Sequence, residues 1–480
     1  MSSRGITAIR AIDEGIADRF LQAAIPMHGR MIHPKNGNEQ SQIYDVNGQW
    51  INSIDRALLN EDLLNELTTK SIPVAFHHKL LYADFEGKRL TFRDTTCEKD
   101  STVPYDLCIG ADGAYSAVRR QLMRVVRMDY QQEYIPHEYI ELRVAPGVGP
   151  DGSTQYRLHP NHLHIWPRHS FMLIALPNKV SASLFGLSER SAKRAAPCPN
   201  QDKSFTSTLF APTSEFDKLK NASEFIDWFR SHFPDAVDLI GESRLIEDYK
   251  RNPRSPLIHI KVGFADSPVS FPSSPPTHVT LPKARPYHYK DGVVILGDAA
   301  HAMVPFYGQG LNCGLEDVRV LDVLLQKHFV DPAKSVPQGT VDEALASALK
   351  EYTDSRHEDL NAICDLAMAN YEEMRHAVTT PLYKLRKRMD GFLSRLTPFI
   401  AFEAFSSRLR RETFLPTPRG WLALYTMVTF RPDISYAEVR RKARRQDMII
   451  NTFAWAGLML AVGTGSLLAG LRFWRHVGRA

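Results

Sequence analysis

The chain has 480 residues, 43% hydrophobic and 24% charged, the balance of a folded protein with enough material for a large core, which excludes a disordered or fibrous chain. The net charge of +5 is concentrated near the C-terminus, where Arg440, Arg441, Lys442, Arg444 and Arg445 crowd together, so an interleaved aromatic and basic face for nucleic acid is not expected. The cysteines, Cys97, Cys108, Cys198, Cys313 and Cys364, form no Cys-x-x-Cys pair, which points to reduced thiols rather than a disulfide framework or a zinc site.

Ile6, Ile9, Ile12, Ile16 and Phe20 recur at helical spacing, interrupted by Asp13, Glu14 and Asp18. They predict one N-terminal helix that belongs to the fold rather than a targeting signal. Short apolar and alternating runs at 30–33, 42–54 and 81–92 predict β-structure, and 105–109 a strand that feeds a turn at Gly110 to Gly113. Asn36-Gly37 is a hairpin signal. A strict two-residue turn there sets Arg30 opposite Ile43, so placing Arg30 and Tyr44 on one face requires a bulge or a longer loop. Residues 137–290 read as strand-rich, with a hairpin formed by 163–166 and 171–176. His159, His162 and His164 have no carboxylates at ligand spacing and are expected to be surface or core histidines; no metal is expected. Val180 to Gln201 and Gly263 to Lys283 interrupt strand patterns and read as long solvent loops, or as translated intron sequence.

The most informative stretch runs from Val293 to Asn312. Four apolar residues, Val293 to Leu296, suit a strand covered on both faces. Gly297 lets backbone approach a ligand, and Asp298 sets a carboxylate at the strand's carboxyl end, where it can accept a hydrogen bond from a sugar-like hydroxyl. Gly308 and Gly310 clear side chains from the start of a helix expected over 311–325, whose free N–H groups and dipole favour negative charge nearby, as on a reduced flavin. Beyond it, Leu345, Leu349 and Tyr352, then Leu360, Ile363 and Leu366, predict helices packed beside this unit. Met448 to Leu471 is free of formal charge, bounded by Asp447 and Arg472, and at ~1.5 Å per residue is long enough for a transmembrane tail anchor.

This stretch resembles the second flavin fingerprint of the single-component FAD-dependent aromatic hydroxylases. Ile109-Gly-Ala-Asp-Gly-Ala-Tyr-Ser-Ala-Val-Arg119 is similar to the same family's Asp-Gly motif. Ile25 to His33, Tyr134 to His137, Leu163 to Arg168, Phe233 to Ala236 and Leu424 to Phe430 follow in family order. The resemblance implies an α/β fold with a Rossmann-type FAD-binding domain (about 1–24, 52–125 and 285–345), a β-sheet substrate domain (about 25–51 and 126–284), C-terminal helices (346–447) and the anchor at 448–471. It implies FAD as cofactor, NADPH as co-substrate, O2, and L-kynurenine as the ring to be hydroxylated. The flavin performs the chemistry, and no protein residue is expected to act as nucleophile.

By the same resemblance Asp298 meets the ribityl chain, and Gly308, Gly310, Leu311 and Asn312 face the flavin. Arg56 contacts FAD, and Asp112 and Arg119 lie where FAD and NADPH meet. Arg30 and Tyr44 receive the substrate carboxylate, a task suited to an arginine's two-pronged donor set. Asn370, Glu373 and Tyr425 line the pocket, and Pro305, Phe306 and Tyr307 wall the oxygen site. The implied location is the mitochondrial outer membrane, with the catalytic part facing the cytosol. Such flavoproteins open with a strand, a Gly-x-Gly-x-x-Gly turn and a helix. The formal match at Gly147 to Gly152 contains Pro150 and reads as a loop, so roughly 50 residues, one βαβ unit with its following strand, are expected to be lacking. Two rivals therefore stand beside kynurenine hydroxylation: a hydroxylase of another aromatic compound, and a non-catalytic remnant tethered to a membrane.

Overall fold

The computed structural model describes residues 1–453 apart from 36, 129, 179–202, 263–285, 335, 338, 397–407, 410 and 417. The segments 180–201 and 263–283, and most of the expected anchor at 448–471, lie outside the described residues. Among those described, no helix is long and apolar enough to cross a membrane.

The expected single N-terminal helix is two, α1 (Ser3–Ile12) and α2 (Glu14–Ala23). Asp13 between them is extended, and its carboxylate accepts the Ile16 N–H at 3.1 Å. Its preference for capping a helix start outweighs the continuous apolar spacing. Strand β1 (Ile25–Met27) pairs with β4 (Ile51–Ser53), ahead of α3 (Arg56–Thr69). The run at 81–92 is part of an antiparallel meander of β5 (His78–Asp84), β6 (Arg89–Asp94) and β7 (Lys99–Pro104).

A seven-stranded sheet has the order β15-β9-β14-β13-β12-β2-β3. Its strands are β2 (Gly29–Ile32), β3 (Gln40–Ile43), β9 (Tyr130–Val144), β12 (His162–Arg168), β13 (Phe171–Pro177), β14 (Phe205–Pro212) and β15 (Ser255–Val262). All neighbours are antiparallel except β12 and β2. Because side chains alternate along a strand, the sheet feeds two cores. Ile140, Leu142, Trp166, Leu173, Phe205 and Leu209 point to one side, where α5 (Thr213–Phe216), α6 (Ala222–His232), α7 (Pro234–Ile240) and α8 (Glu242–Arg251) cover them. Ile165, Met172 and Phe210 point to the other, into the main core. The expected hairpin is β12 and β13, with His169 at positive φ in its turn. Gly147 to Gly152 forms a short strand, β10 (Gly147–Val148), and the turn before β11 (Thr154–Gln155), with no helix behind it.

A smaller sheet has the order β16-β17-β8: β8 (Cys108–Gly110) runs parallel to β17 (Val293–Ile295), and β16 (His288–Tyr289) is antiparallel. Val293, Val294 and Ile295 are fully buried, as a strand covered on both faces requires. After β8 comes α4 (Ala117–Leu122); after β17 come α9 (Asp298–His301) and α10 (Gly310–Lys327). The apolar residues from Leu345 to Leu366 lie on one continuous helix, α11 (Glu343–Arg375), started by Asp342, whose carboxylate accepts the N–H groups of Ala344 and Leu345. At ~1.5 Å per residue it reaches ~50 Å, long enough to cross the main core and carry its last turns to the edge of the large sheet. Among the described residues α12 (Pro381–Arg395), α13 (Leu424–Phe430) and a helical run at 436–453 follow.

Candidate active site

β17 delivers the chain to Gly297, whose φ of +54° suits glycine. A Cβ there would lie 4.0 Å from the Gly314 Cα, so strand end and α10 pass close together. Asp298 follows with an exposed side chain whose carboxylate takes no hydrogen bond from the described residues. The walls of the cleft desolvate it and raise its carboxyl above the usual range, against the opposing charges of His301 and Arg56. The turn Pro305–Tyr307 leads into Gly308, left-handed at φ +63° with nothing within 4 Å of where a Cβ would stand. Leu311 is half exposed. The first bond closing α10 is Cys313 N–H to Gln309 O at 2.7 Å, so the N–H groups of Gly310, Leu311 and Asn312 precede the intrahelical ladder and can meet an anion. Asn312 holds this turn: its Nδ2 donates to Gly308 O at 2.7 Å and its Oδ1 accepts the Ser2 N–H at 2.8 Å. An open glycine cradle, a carboxylate without a partner and a free helix start fit the ring and ribityl chain of FAD.

Beneath this turn lies a buried network of charges. Arg356 donates to Asp317 Oδ1 at 2.7 Å, to Glu316 at 3.1 Å and to Asp359 at 3.2 Å, and all four side chains are at most 3% exposed. Asp317 Oδ2 meets His301 Nε2 at 2.5 Å and accepts the Gly297 N–H at 3.1 Å. His301 and Arg356 hold the Asp317 carboxyl at about 2, although burial alone would raise it. Arg4 joins from α1, donating to Glu316 at 2.7 Å and to the carbonyls of Val428 and Ile434. His301, Cys313 and Asp317 could together approach a metal ion, but the Arg356 guanidinium already supplies the positive charge there, 3.6 Å from the Cys313 sulfur. The network fixes the backbone at Gly297 from below.

Asp112 and Arg119 act on the same turn from β8. Asp112 accepts from Ser116 Oγ at 2.5 Å and from the N–H groups of Ala117 and Val118, which starts α4. Arg119, 3% exposed, donates to Ala299 O at 2.6 Å and Ala114 O at 2.5 Å, stapling the Asp-Gly turn to α9. Asp112 thus shapes its own turn, and Arg119 holds the two motifs together. Arg56 is exposed at the start of α3, near enough for its charge to act on Asp298.

The five residues expected at the substrate converge from four places in the sequence. Arg30 on β2 is 4% exposed, donating to Glu373 Oε1 at 2.9 Å and towards Asn370 Oδ1 at 3.4 Å. Glu373 and Asn370 stand three residues apart on one face of α11. Tyr44 and Tyr425 stack at 4.8 Å with ring planes 7° apart, and the Arg30 guanidinium lies 5.1 Å from the Tyr425 ring. The register pairs Arg30 with Gln42, so Tyr44, two residues on, shares its face; the connection spans 33–39, the longer loop rather than a bulge. Burial on its own would lower Arg30, but Glu373 outweighs it and raises the guanidinium well above its usual value. Arg30 Nε and the Tyr44 hydroxyl are nonetheless buried with no partner in normal hydrogen-bond geometry among the described residues, although the hydroxyl lies within electrostatic reach of Arg30 and Tyr425. Such orphaned atoms are costly unless a ligand completes them.

The residues expected to wall the oxygen site adjoin this cluster. Asn370 Nδ2 donates to Phe306 O at 2.8 Å, Tyr307 stacks over Tyr425 at 5.7 Å, and Phe306 stacks on Tyr371 at 3.9 Å, while Pro305 is exposed. Two further residues, both on α12, were not apparent from sequence. The Tyr383 hydroxyl donates to Glu373 Oε1 at 2.9 Å, the same oxygen that Arg30 uses. Lys387 is lowered to about 8, by burial first and then by Arg30. No motif marks them, since they reach the site only because α12 folds back across the end of α11. His164, by contrast, is a satisfied core histidine, between His33 Nε2 at 2.8 Å and His159 O at 2.9 Å.

With that geometry in place, the chain can be set beside known proteins. The FAD binding domain family matches residues 7–162 and 250–362. Kynurenine 3-monooxygenase of Cryptococcus neoformans var. neoformans is 40% identical, aligned over 98% of this chain and 87% of its own length. The enzymes of that name from Candida albicans and Yarrowia lipolytica are each 39% identical, over 99% and 97% of this chain and 87% and 86% of their own. Among solved structures, Pseudomonas aeruginosa PqsL in complex with 2-aminobenzoylacetate superposes with a TM-score of 0.51 at 16% identity, covering 78% of this chain and 85% of that one. A variant of 2-methyl-3-hydroxypyridine-5-carboxylic acid oxygenase does so at 0.50 and 16%, covering 79% and 83%. These two likenesses concern the fold alone.

Proposed function

Since the chain belongs to the kynurenine 3-monooxygenase family and carries its FAD-binding domain, we propose that it hydroxylates L-kynurenine to 3-hydroxykynurenine with NADPH and O2. The observation that carries this reading is the cluster of Arg30, Tyr44, Asn370, Glu373 and Tyr425 beside the glycine cradle, with Arg30 Nε and the Tyr44 hydroxyl unfilled. An amino-acid head group completes both: its carboxylate accepts from Arg30 and Tyr44, and its ammonium meets Glu373. FAD, when bound, supplies the redox chemistry that draws on NADPH and O2. Asp298, Arg56 and the Gly308–Asn312 backbone hold it. The aromatic amine of the substrate already enriches the ring carbon beside it, so the chain's own residues orient the ring, exclude water and steady charge. Phe306 and Tyr307 form the dry wall, and the hydroxyls of Tyr44, Tyr307 and Tyr425, pushed up by burial, stay protonated as donors.

The test is purified full-length protein supplemented with FAD. A retained flavin spectrum with kynurenine-dependent NADPH oxidation and 3-hydroxykynurenine in the product supports the proposal. A colourless preparation that FAD cannot reconstitute refutes it in favour of the remnant, and turnover of another aromatic compound alone refutes the substrate. We further propose that Met448 to Leu471 anchors the protein in the mitochondrial outer membrane, supported by its uncharged length and basic flanks. Alkaline extraction of fractionated membranes tests it: release of the protein into the supernatant refutes the anchor.

A further inference from the structure

Helix α12 is amphipathic in the reverse sense for a packed helix. None of its residues is buried. Leu382 is 77% exposed, Phe392 64% and Leu396, just past its end, 69%, with Leu385 and Met389 between them on the same stripe. Its inward, half-buried side carries the polar groups: Tyr383 on Glu373, Lys387 beside Arg30, and Asp390, which takes hydrogen bonds from Arg386 at 3.1 Å and from the indole of Trp421 at 2.9 Å. A soluble helix normally presents the opposite arrangement, with its apolar stripe facing the core. Arg386 also pairs with Asp447 at 2.8 Å, which ties α12 to the end of the helical run 436–453. Met448, Ile449 and Phe453, also exposed, follow there.

We propose that α12 lies in the plane of an anionic phospholipid surface, with Leu382, Leu385, Met389, Phe392 and Leu396 inserted at the boundary between headgroups and acyl chains. Charge decides the occupant. Arg388 and Arg395 are exposed on one flank of the stripe, whereas Arg386 on the other flank is paired with Asp447 and with the helix's only carboxylate, Asp390, which also takes the Trp421 indole. An apolar stripe flanked by arginines suits anionic headgroups over acyl chains. A second copy of the chain packed on this stripe would bring the same cations together without counter-charge.

The test is hydrogen–deuterium exchange of the full-length protein on vesicles of phosphatidylcholine, with and without roughly one third phosphatidylserine. Exchange across 381–396 is expected to slow by about fivefold or more on the anionic vesicles and less on the neutral ones. The double substitution Leu385→Glu and Phe392→Glu is expected to abolish that protection while leaving the unfolding temperature unchanged, since both side chains are exposed. Vesicles that bind the protein through another segment and leave 381–396 unprotected would overturn the proposal. So would protection that appears without lipid and grows with protein concentration, the result expected of self-association.

Discussion

Two clusters of buried charge lie near the glycine cradle, and they differ in how completely their hydrogen bonds are filled. In the network of Arg4, His301, Glu316, Asp317, Arg356 and Asp359, every buried side-chain nitrogen and oxygen but His301 Nδ1 has a partner among the described residues. In the cluster around Arg30, the guanidinium Nε and the Tyr44 hydroxyl are unfilled and Glu373 stays 31% exposed. Both contain arginines that are at most 4% exposed, so burial alone does not separate them. Filled bonds suit a scaffold, and orphaned atoms that adjoin a partly open carboxylate suit a receptor, because an unmet buried polar group is costly and a ligand there would relieve the cost.

The comparison breaks most readily at Arg356. Arg356→Leu removes the cation that Asp317, Glu316 and Asp359 share, leaving Asp359 without its ion-pair partner and the other two with His301 and Arg4 alone, and a loss of about 3–5 kcal/mol is expected, read as a fall in the urea midpoint. An unaltered midpoint would mean that the network is no scaffold. Arg30→Ala tests the other half. Glu373 can hydrate when freed, so stability should change little, whereas the KM for kynurenine should rise ~100-fold, about 2.7 kcal/mol, for a lost charge-assisted contact. An unchanged KM would remove Arg30 from the carboxylate site.

A pH series sharpens the contrast. Lys387 is lowered to about 8 by burial and by Arg30, so its positive charge is present below that pH and lost as pH rises through it. The KM for a carboxylate substrate should climb several-fold above about pH 8, and Lys387→Met should flatten that climb; a wild-type profile level through pH 9 would exclude it. The smallest effect is expected of Tyr383→Phe, which removes one hydrogen bond to Glu373. About 1 kcal/mol, or several-fold in KM with no change in unfolding temperature, would place Tyr383 as a positioning residue, and a fall in stability instead would assign it to the scaffold.

The receptor was more legible than the scaffold. Arg30, Tyr44, Asn370, Glu373 and Tyr425 are named by the family resemblance rather than by their own chemistry, and the structure brings all five together. Asp298 and the glycines were legible on their own: a carboxylate at a strand end and residues without side chains are local devices. Arg4, Asp317 and Arg356 announced nothing, since each reads alone as a solvated helix residue and acquires its meaning only when α1, α10 and α11 pack. The split at Asp13 is hidden beneath continuous apolar spacing, which the capping bond to Ile16 overrides. Tyr383 and Lys387 depended on a chain reversal that no local pattern encodes.

The amino-acid sequence alone determined the strand that ends at Gly297 and the unobstructed start of α10, because these follow from side-chain chemistry within a few residues. The tertiary structure alone decided which charges support and which receive. It set the loop length that puts Arg30 and Tyr44 on one face, and it turned the leucines of α12 outward. Those outcomes depend on which distant segments come to share a hydrogen bond or a surface, and spacing along the chain carries no record of that.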